Sequence, residues 1–144
     1  MDEEFSSTER TQLMTALEAS IAKQAERLPS VVGGRPIAIR AVITRVEVVY
    51  PVLNIVTAVL SGMPLHRGGA AVEIEVLDAE TLQPLASMAY AQFTPMSEFR
   101  VKFVRLAPAE LALNTAAKKF AEILRGTCKD VSLASSINER LDHE

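Results

Sequence analysis

"AAVEIEVLDAETLQPLASMAYAQF" runs from Ala70 to Phe93. Val72, Ile74 and Val76 alternate with Glu73 and Glu75, the period of a strand with one face in a core and one in water. "DAETLQP", Asp78 to Pro84, carries turn residues, and the run from Leu85 to Phe93 returns as the second arm of a hairpin. The small residues Ala86, Ser87, Ala89 and Ala91 on that arm leave room for a helix or another sheet to approach.

A third strand lies upstream. Ile37, Ile39, Ala41 and Ile43 alternate with residues that include Arg40 and Thr44. After Ile43 the apolar parity flips to Val46 and Val48, with Arg45 and Glu47 outward. One extra residue near Thr44 or Arg45 is implied, which predicts a β-bulge or bend there.

Helices flank the strands. "SSTE", Ser6 to Glu9, has the form of a capping box, in which the serine hydroxyl and the glutamate carboxylate satisfy each other's backbone N–H groups. Leu13, Leu17, Ile21 and Leu28, with Met14 and Ala25 beside them, give one apolar stripe before Pro29 and "VGGRP" (32–36) turn the chain. Pro108 suits the first turn of a second long helix, with Leu113, Ala116, Ala117, Phe120, Ile123 and Leu124 as its stripe and Gly126 as its stop. Asp130 then caps a short final helix carrying Leu133, Ile137 and Leu141. Residues 95–106 fit two periods: Phe99, Val101 and Phe103 alternate, while Met96, Phe99, Phe103 and Leu106 recur helically. The expected fold is α+β, an antiparallel sheet of at least three strands with two long helices packed on one face, in a single domain over 1–144.

Between the first strand and the hairpin lies "YPVLNIVTAVLSGMPLHRGG", Tyr50 to Gly69. Pro51 fits a helix start and Gly62 a helix stop, with Pro64 beyond, so residues 52–61 are bounded as a short helix. About 15 Å long, it is half the thickness of a hydrocarbon layer and cannot span one. Asn54, Thr57 and Ser61 share one narrow stripe; Val52, Leu53, Ile55, Val56, Val59 and Leu60 occupy most of the circumference. One apolar side can pack on the sheet, but the remainder needs a second cover. Three covers fit: burial between sheet and long helices, a second copy or partner, or a membrane interface. Val52, Leu53, Val56, Val59, Leu60 and Met63 are the candidate partner or ligand surface.

Composition narrows the functions. The chain has 144 residues, 49% of them hydrophobic but only 5% aromatic and none Trp, so the core is aliphatic. A formal charge of −3 provides no general attraction to nucleic acid. Cys128, the single cysteine, excludes an intrachain disulfide. "DEEFSSTE" after Met1 has neither the basic nor the apolar region of a secretion signal.

Chemistry-bearing clusters are sparse. Glu73 and Glu75 would sit about 6.6 Å apart on one strand face, a spacing open to acid–base work but equally that of a solvated sheet face. His66 and His143 have no partner at metal-ligand spacing, and Cys128 has no nearby His. The pairs Gly33-Gly34 and Gly68-Gly69 each precede a strand, the reverse of a phosphate loop, and read as turns. Arg100, Lys102 and Arg105 form a small basic cluster that suits a solvated face, lipid headgroups or an acidic partner. No catalytic, cofactor-binding or metal-ligating residues are expected.

"TRVEVVYPVLNIVT" (44–57) followed by "RGGAAVEIEVLDAETLQPLASM" (67–88) resembles the bacterial envelope lipoproteins grouped as domain-of-unknown-function family 3313. The likeness covers the middle third of the chain, and the flanking helices only by architecture. Members of that family carry a secretion signal and a lipobox cysteine, neither of which stands here, and a glycine where this hairpin has Leu82. The resemblance implies a periplasm-facing domain anchored to the outer membrane, through a lipid anchor missing from this chain, and no catalytic residues; without a leader the alternative location is cytoplasmic. The expected function is a non-enzymatic binding or scaffolding domain of a cell-envelope lipoprotein, meeting itself or an envelope partner through residues 51–65. The alternative is a carrier of a small apolar ligand or lipid, held in a pocket between sheet and helices.

Overall fold

The computed structural model describes the backbone of residues 6–28, 36–63, 67–95 and 103–141, with the side chains of those up to 126. The elements follow in the order α1 (Ser7–Ala25), β1 (Ile37–Glu47), α2 (Pro51–Ser61), β2 (Gly69–Asp78), β3 (Pro84–Phe93) and α3 (Ala107–Leu141). The strands form one antiparallel sheet in the order β1-β2-β3, the α+β arrangement that the two periodicities predict.

β2 is the central strand, and its alternation builds the core. Val72, Ile74 and Val76 are buried, and Ile43, Ala41 and Ile39 stand opposite them on β1. The register breaks between Ile43 and Arg45, leaving Thr44 as the extra residue, so that Val46 lands opposite Ala70 on the core side. The parity flip in the sequence is this bulge. On the outer face Arg40 donates from Nε to Glu75 at 2.9 Å, across the ladder from its register partner.

The hairpin turn is held by Asp78, whose carboxylate accepts from the Glu80 and Thr81 N–H groups at 2.9 and 2.8 Å. Leu82 follows in the left-handed region, φ +56°, where a residue with a Cβ is strained. Gly69 is not a turn residue as expected but the first residue of β2. A Cβ there would lie 2.2 Å from the Gln92 carbonyl oxygen, and one on Gly68 would lie 2.8 Å from both the Glu47 carbonyl oxygen and the Pro108 side chain. These glycines permit a close approach of three segments.

α3 covers β2 and β3 and packs along α1. Its buried face is rich in alanine, with Ala109, Ala112, Ala116, Ala117 and Ala121 around Leu113 and Phe120, and short side chains let elements lie close. Two expectations about this helix are corrected. Gly126 does not stop it, and no separate helix begins at Asp130, because the backbone is helical without interruption to Leu141. Gly126 is not among the positive-φ residues, so it does not take the left-handed form that a glycine stop uses. Of residues 95–106, only Pro95 and the short irregular lead-in 103–106 are described; Leu106 within it is buried.

α1 starts as its capping box predicts. Glu9 N–H donates to the Ser6 hydroxyl at 3.2 Å, and Ser6 N–H donates to the Glu9 carboxylate at 3.0 Å. Leu13 and Leu17 are buried in the core cluster, with Ile21 packed against it, whereas Ala25 is exposed and Gln24 takes the buried position near the C-terminus. Gln12 Nε2 donates to Glu110 of α3 at 2.7 Å and Arg105 Nε donates to Glu9 at 2.8 Å, tying both helix starts together.

Candidate functional site

α2 has the boundaries its sequence predicts. Pro51 occupies its first turn, and Gly62, at φ +75°, closes it by donating its N–H to the Ala58 carbonyl at 2.9 Å. Successive residues turn by about 100°, which places Asn54, Thr57, Ala58 and Ser61 along one seam. The apolar residues Val52, Leu53, Ile55, Val56, Val59 and Leu60 spread over the opposite arc of about 160°, and Met63 follows just beyond the helix end.

The placement is the reverse of an ordinary surface helix. Asn54 is 0% exposed and is the one buried residue of α2, with Thr57 and Ala58 half-buried beside it. Every residue of the apolar arc is exposed, up to 79% at Val59 and 81% at Leu60. Burial of that arc between the sheet and the long helices, one of the three covers open to the sequence, is therefore excluded. The helix is rooted through what precedes it: Val48 and Val49 are buried, and Val49 N–H donates to the Arg105 carbonyl at 3.3 Å. The Thr57 and Ser61 hydroxyls donate to carbonyls of α2 itself, at Asn54 and Thr57, the local back-bonding that hydroxyl side chains make in helices.

A second apolar surface was not foreseen at residue level. α3 lies over β2 and β3, so the core-side face of β1 is left to α1, which packs on α3 and does not close down on the strand. Between α1 and β1 runs an open groove of about 970 Å³. Leu13, Leu17 and Ile21 line it from the helix and Ile39, Ala41 and Ile43 from the strand. Met14, which is 57% exposed, and Ala22 line its helical wall with Glu18, while Arg10 and Arg45 stand at one end. Arg45 also pairs with Glu47 at 2.8 Å. The signal in the sequence was the width of the α1 stripe: Met14 and Ala25 flank it, more apolar surface than a single neighbour needs. A smaller hollow of about 260 Å³ on the outer face, around Gly69, Ala71 and Ala91, is bordered by Phe93.

The other candidate groups are not brought together. Glu75 is engaged by Arg40 and Glu73 faces water, an ordinary outer sheet face. Arg105 is paired with Glu9; Arg100, Lys102, His66, His143 and the side chain of Cys128 lie outside the described residues, as do the pair Gly33-Gly34 and the side chains of Leu133, Ile137 and Leu141. Among the described residues no three His, Cys, Asp or Glu side chains converge as a metal site would need, and no helix is long and apolar enough to cross a membrane. Among the described residues, Glu9 is a carboxyl with a perturbed titration. The Ser6 backbone N–H, then the Arg105 guanidinium and the Ser6 hydroxyl, hold Glu9 below the ordinary value of 4.5, a structural role at the head of α1.

Compared with known proteins, the chain matches no protein-family model, no curated protein and no solved structure.

Proposed function

We propose that this chain is a non-enzymatic binding or scaffolding module, and that α2 is the element that meets its partner. The observation that carries the reading is the inversion of α2: a helix with no charged side chain turns its one buried polar residue, Asn54, inward and six apolar residues outward, with Met63 exposed just beyond its end. Full burial of one such side chain is worth about 1.5–3 kcal/mol at about 25 cal/mol per Å², or roughly 60–120 Å² each. At the exposures observed, the arc presents on the order of 400 Å² of contiguous apolar surface. The largest apolar patch on a soluble chain is typically about 300–600 Å² and is often functional.

The test compares wild type with the double variant Val56→Asp/Leu60→Asp in two assays, light scattering across a wide concentration range and fluorescence of a hydrophobic dye. The reading expects wild type to associate, or to bind the dye through α2, and expects the variant to do neither while keeping its far-ultraviolet circular dichroism. A wild type that stays monomeric and binds no more dye than the variant refutes it.

The groove between α1 and β1 supports a second reading, a carrier for a small apolar ligand, since its volume lies within the range of ligand sites. Native mass spectrometry of freshly purified protein separates the two: a carrier retains co-purified mass, a scaffold does not.

A further inference from the structure

Two apolar surfaces on this molecule lack a cover among the described residues, and their sizes match. α2 has 11 residues and is about 16 Å long. The α1 wall of the groove extends from Arg10 to Ala25, about 22 Å, so the groove exceeds the helix by roughly a turn. Half of a helix about 10–12 Å across and 16 Å long fills on the order of 800 Å³, against about 970 Å³ of groove. The charges agree as well. α2 carries none, and the charged groove residues Arg10, Glu18 and Arg45 sit on exposed positions at its wall and end, where they stay in water as the polar rim of an interface does.

We infer that the partner of α2 is a second copy of this chain, and that each protomer lays the apolar arc of its α2 into the α1–β1 groove of the other. This rests on the reading of α2 as the partner surface and gives that partner an identity. The contact joins two different surfaces, so a single contact would propagate into a fibre; a two-fold axis closes it by making the contact twice. Area decides between a transient and a stable pair. Each contact buries on the order of 400 Å² of helix and a smaller area of groove, so two contacts bury on the order of 1,400 Å², within the range of a standard specific interface. The Asn54 seam stays on its own protomer throughout, which is why α2 is polar on that side alone.

The geometry separates this arrangement from a pairing of α2 with α2. Two variants are made in the full chain: the helix variant Val56→Asp/Leu60→Asp, and a groove variant Met14→Glu/Ala22→Glu, both of whose positions are exposed and tolerate a helix-forming residue. Sedimentation equilibrium is run on wild type, on each variant alone and on their equimolar mixture, with circular dichroism on each to verify folding. Wild type is expected as a dimer and each variant alone as a monomer. The mixture is expected to recover a heterodimer, because the intact helix of one variant meets the intact groove of the other. With one contact in place of two, its dissociation constant should be at least tenfold weaker than that of wild type. A wild-type monomer at several hundred micromolar overturns the inference, and if that monomer still binds the dye through α2, the broader reading of α2 survives. A groove variant that dimerises like wild type, or a mixture that stays monomeric, also overturns it. A monomer carrying co-purified apolar mass assigns the groove to a small ligand and overturns it equally.

Discussion

Placing charges on the most apolar helix of the chain should leave the monomer almost as stable as before. The perturbation is Val59→Glu together with Leu60→Lys, measured at submicromolar concentration so that association does not contribute. Val59 and Leu60 are 79% and 81% exposed, so only about a fifth of each side chain is removed from water on folding. With about 1.5–3 kcal/mol for complete burial, each substitution forfeits about 0.3–0.6 kcal/mol, or at most about 1.2 kcal/mol for the pair. Helix propensity returns a few tenths at Val59, where a β-branched residue gives way to glutamate. Urea unfolding followed by circular dichroism reads the result; with a slope of about 2 kcal/mol per molar urea, the midpoint should move by less than about 0.6 M. The same assay on Asn54→Ala should show the larger effect, about 1–3 kcal/mol, because a buried polar group is removed from a site built around it. A midpoint loss above about 1.5 M for the charged pair, or a loss smaller at Asn54 than at the charged pair, would sink the inverted placement of α2.

Three further outcomes follow from the geometry. Gly126→Ala should raise stability by about 0.5–1 kcal/mol, since the glycine is helical with nothing within 4 Å of a new Cβ; a loss in thermal midpoint would show that the helix does end there. Gly69→Ala should lower stability by about 2–3 kcal/mol, because its Cβ meets the Gln92 backbone oxygen and backbone cannot swing aside; an unchanged urea midpoint would contradict the close approach of β2 and β3. Glu9→Gln tests the depressed carboxyl. A carboxyl held below its ordinary value of 4.5 stabilises the fold above that pH, and the contribution fades as pH falls through the lower folded value. The variant should therefore be less stable than wild type at neutral pH, and the gap should close below about pH 4.5; a gap that persists unchanged at pH 3 would refute the assignment.

What was legible in the sequence was local. The Ser6–Glu9 capping box, the Pro51 and Gly62 boundaries and the bulge at Thr44 each depend on a few neighbouring residues, and each is where the pattern put it. The alternation from Val72 to Val76 likewise gave the central strand. Which way α2 faces was not legible, because periodicity tells which residues share a side and says nothing of which side the body takes; a single buried Asn54 outweighs the apolar arc. The end of α3 was misjudged for a related reason: glycine permits a left-handed stop but does not compel one, and only the backbone angle distinguishes Gly126 from Gly62. The groove depends on the distance between α1 and β1, a tertiary quantity that no spacing along the chain encodes.

The bulge at Thr44 works as a phase shifter. With it, one continuous strand serves two frames of alternation, and the residues after it, Val46 and then Val48, turn to the core in the second frame. α2 leaves the sheet three residues beyond the end of that strand, so its rotation about its own axis is inherited from a single unpaired residue. Were Thr44 held in the ladder instead of bulged out, strict alternation would put Arg45 and Glu47 on the core side and carry the change into α2. A further residue inserted between Arg45 and Pro51 thus changes what the molecule presents to others, while the same edit in the turn after Asp78 alters only a loop.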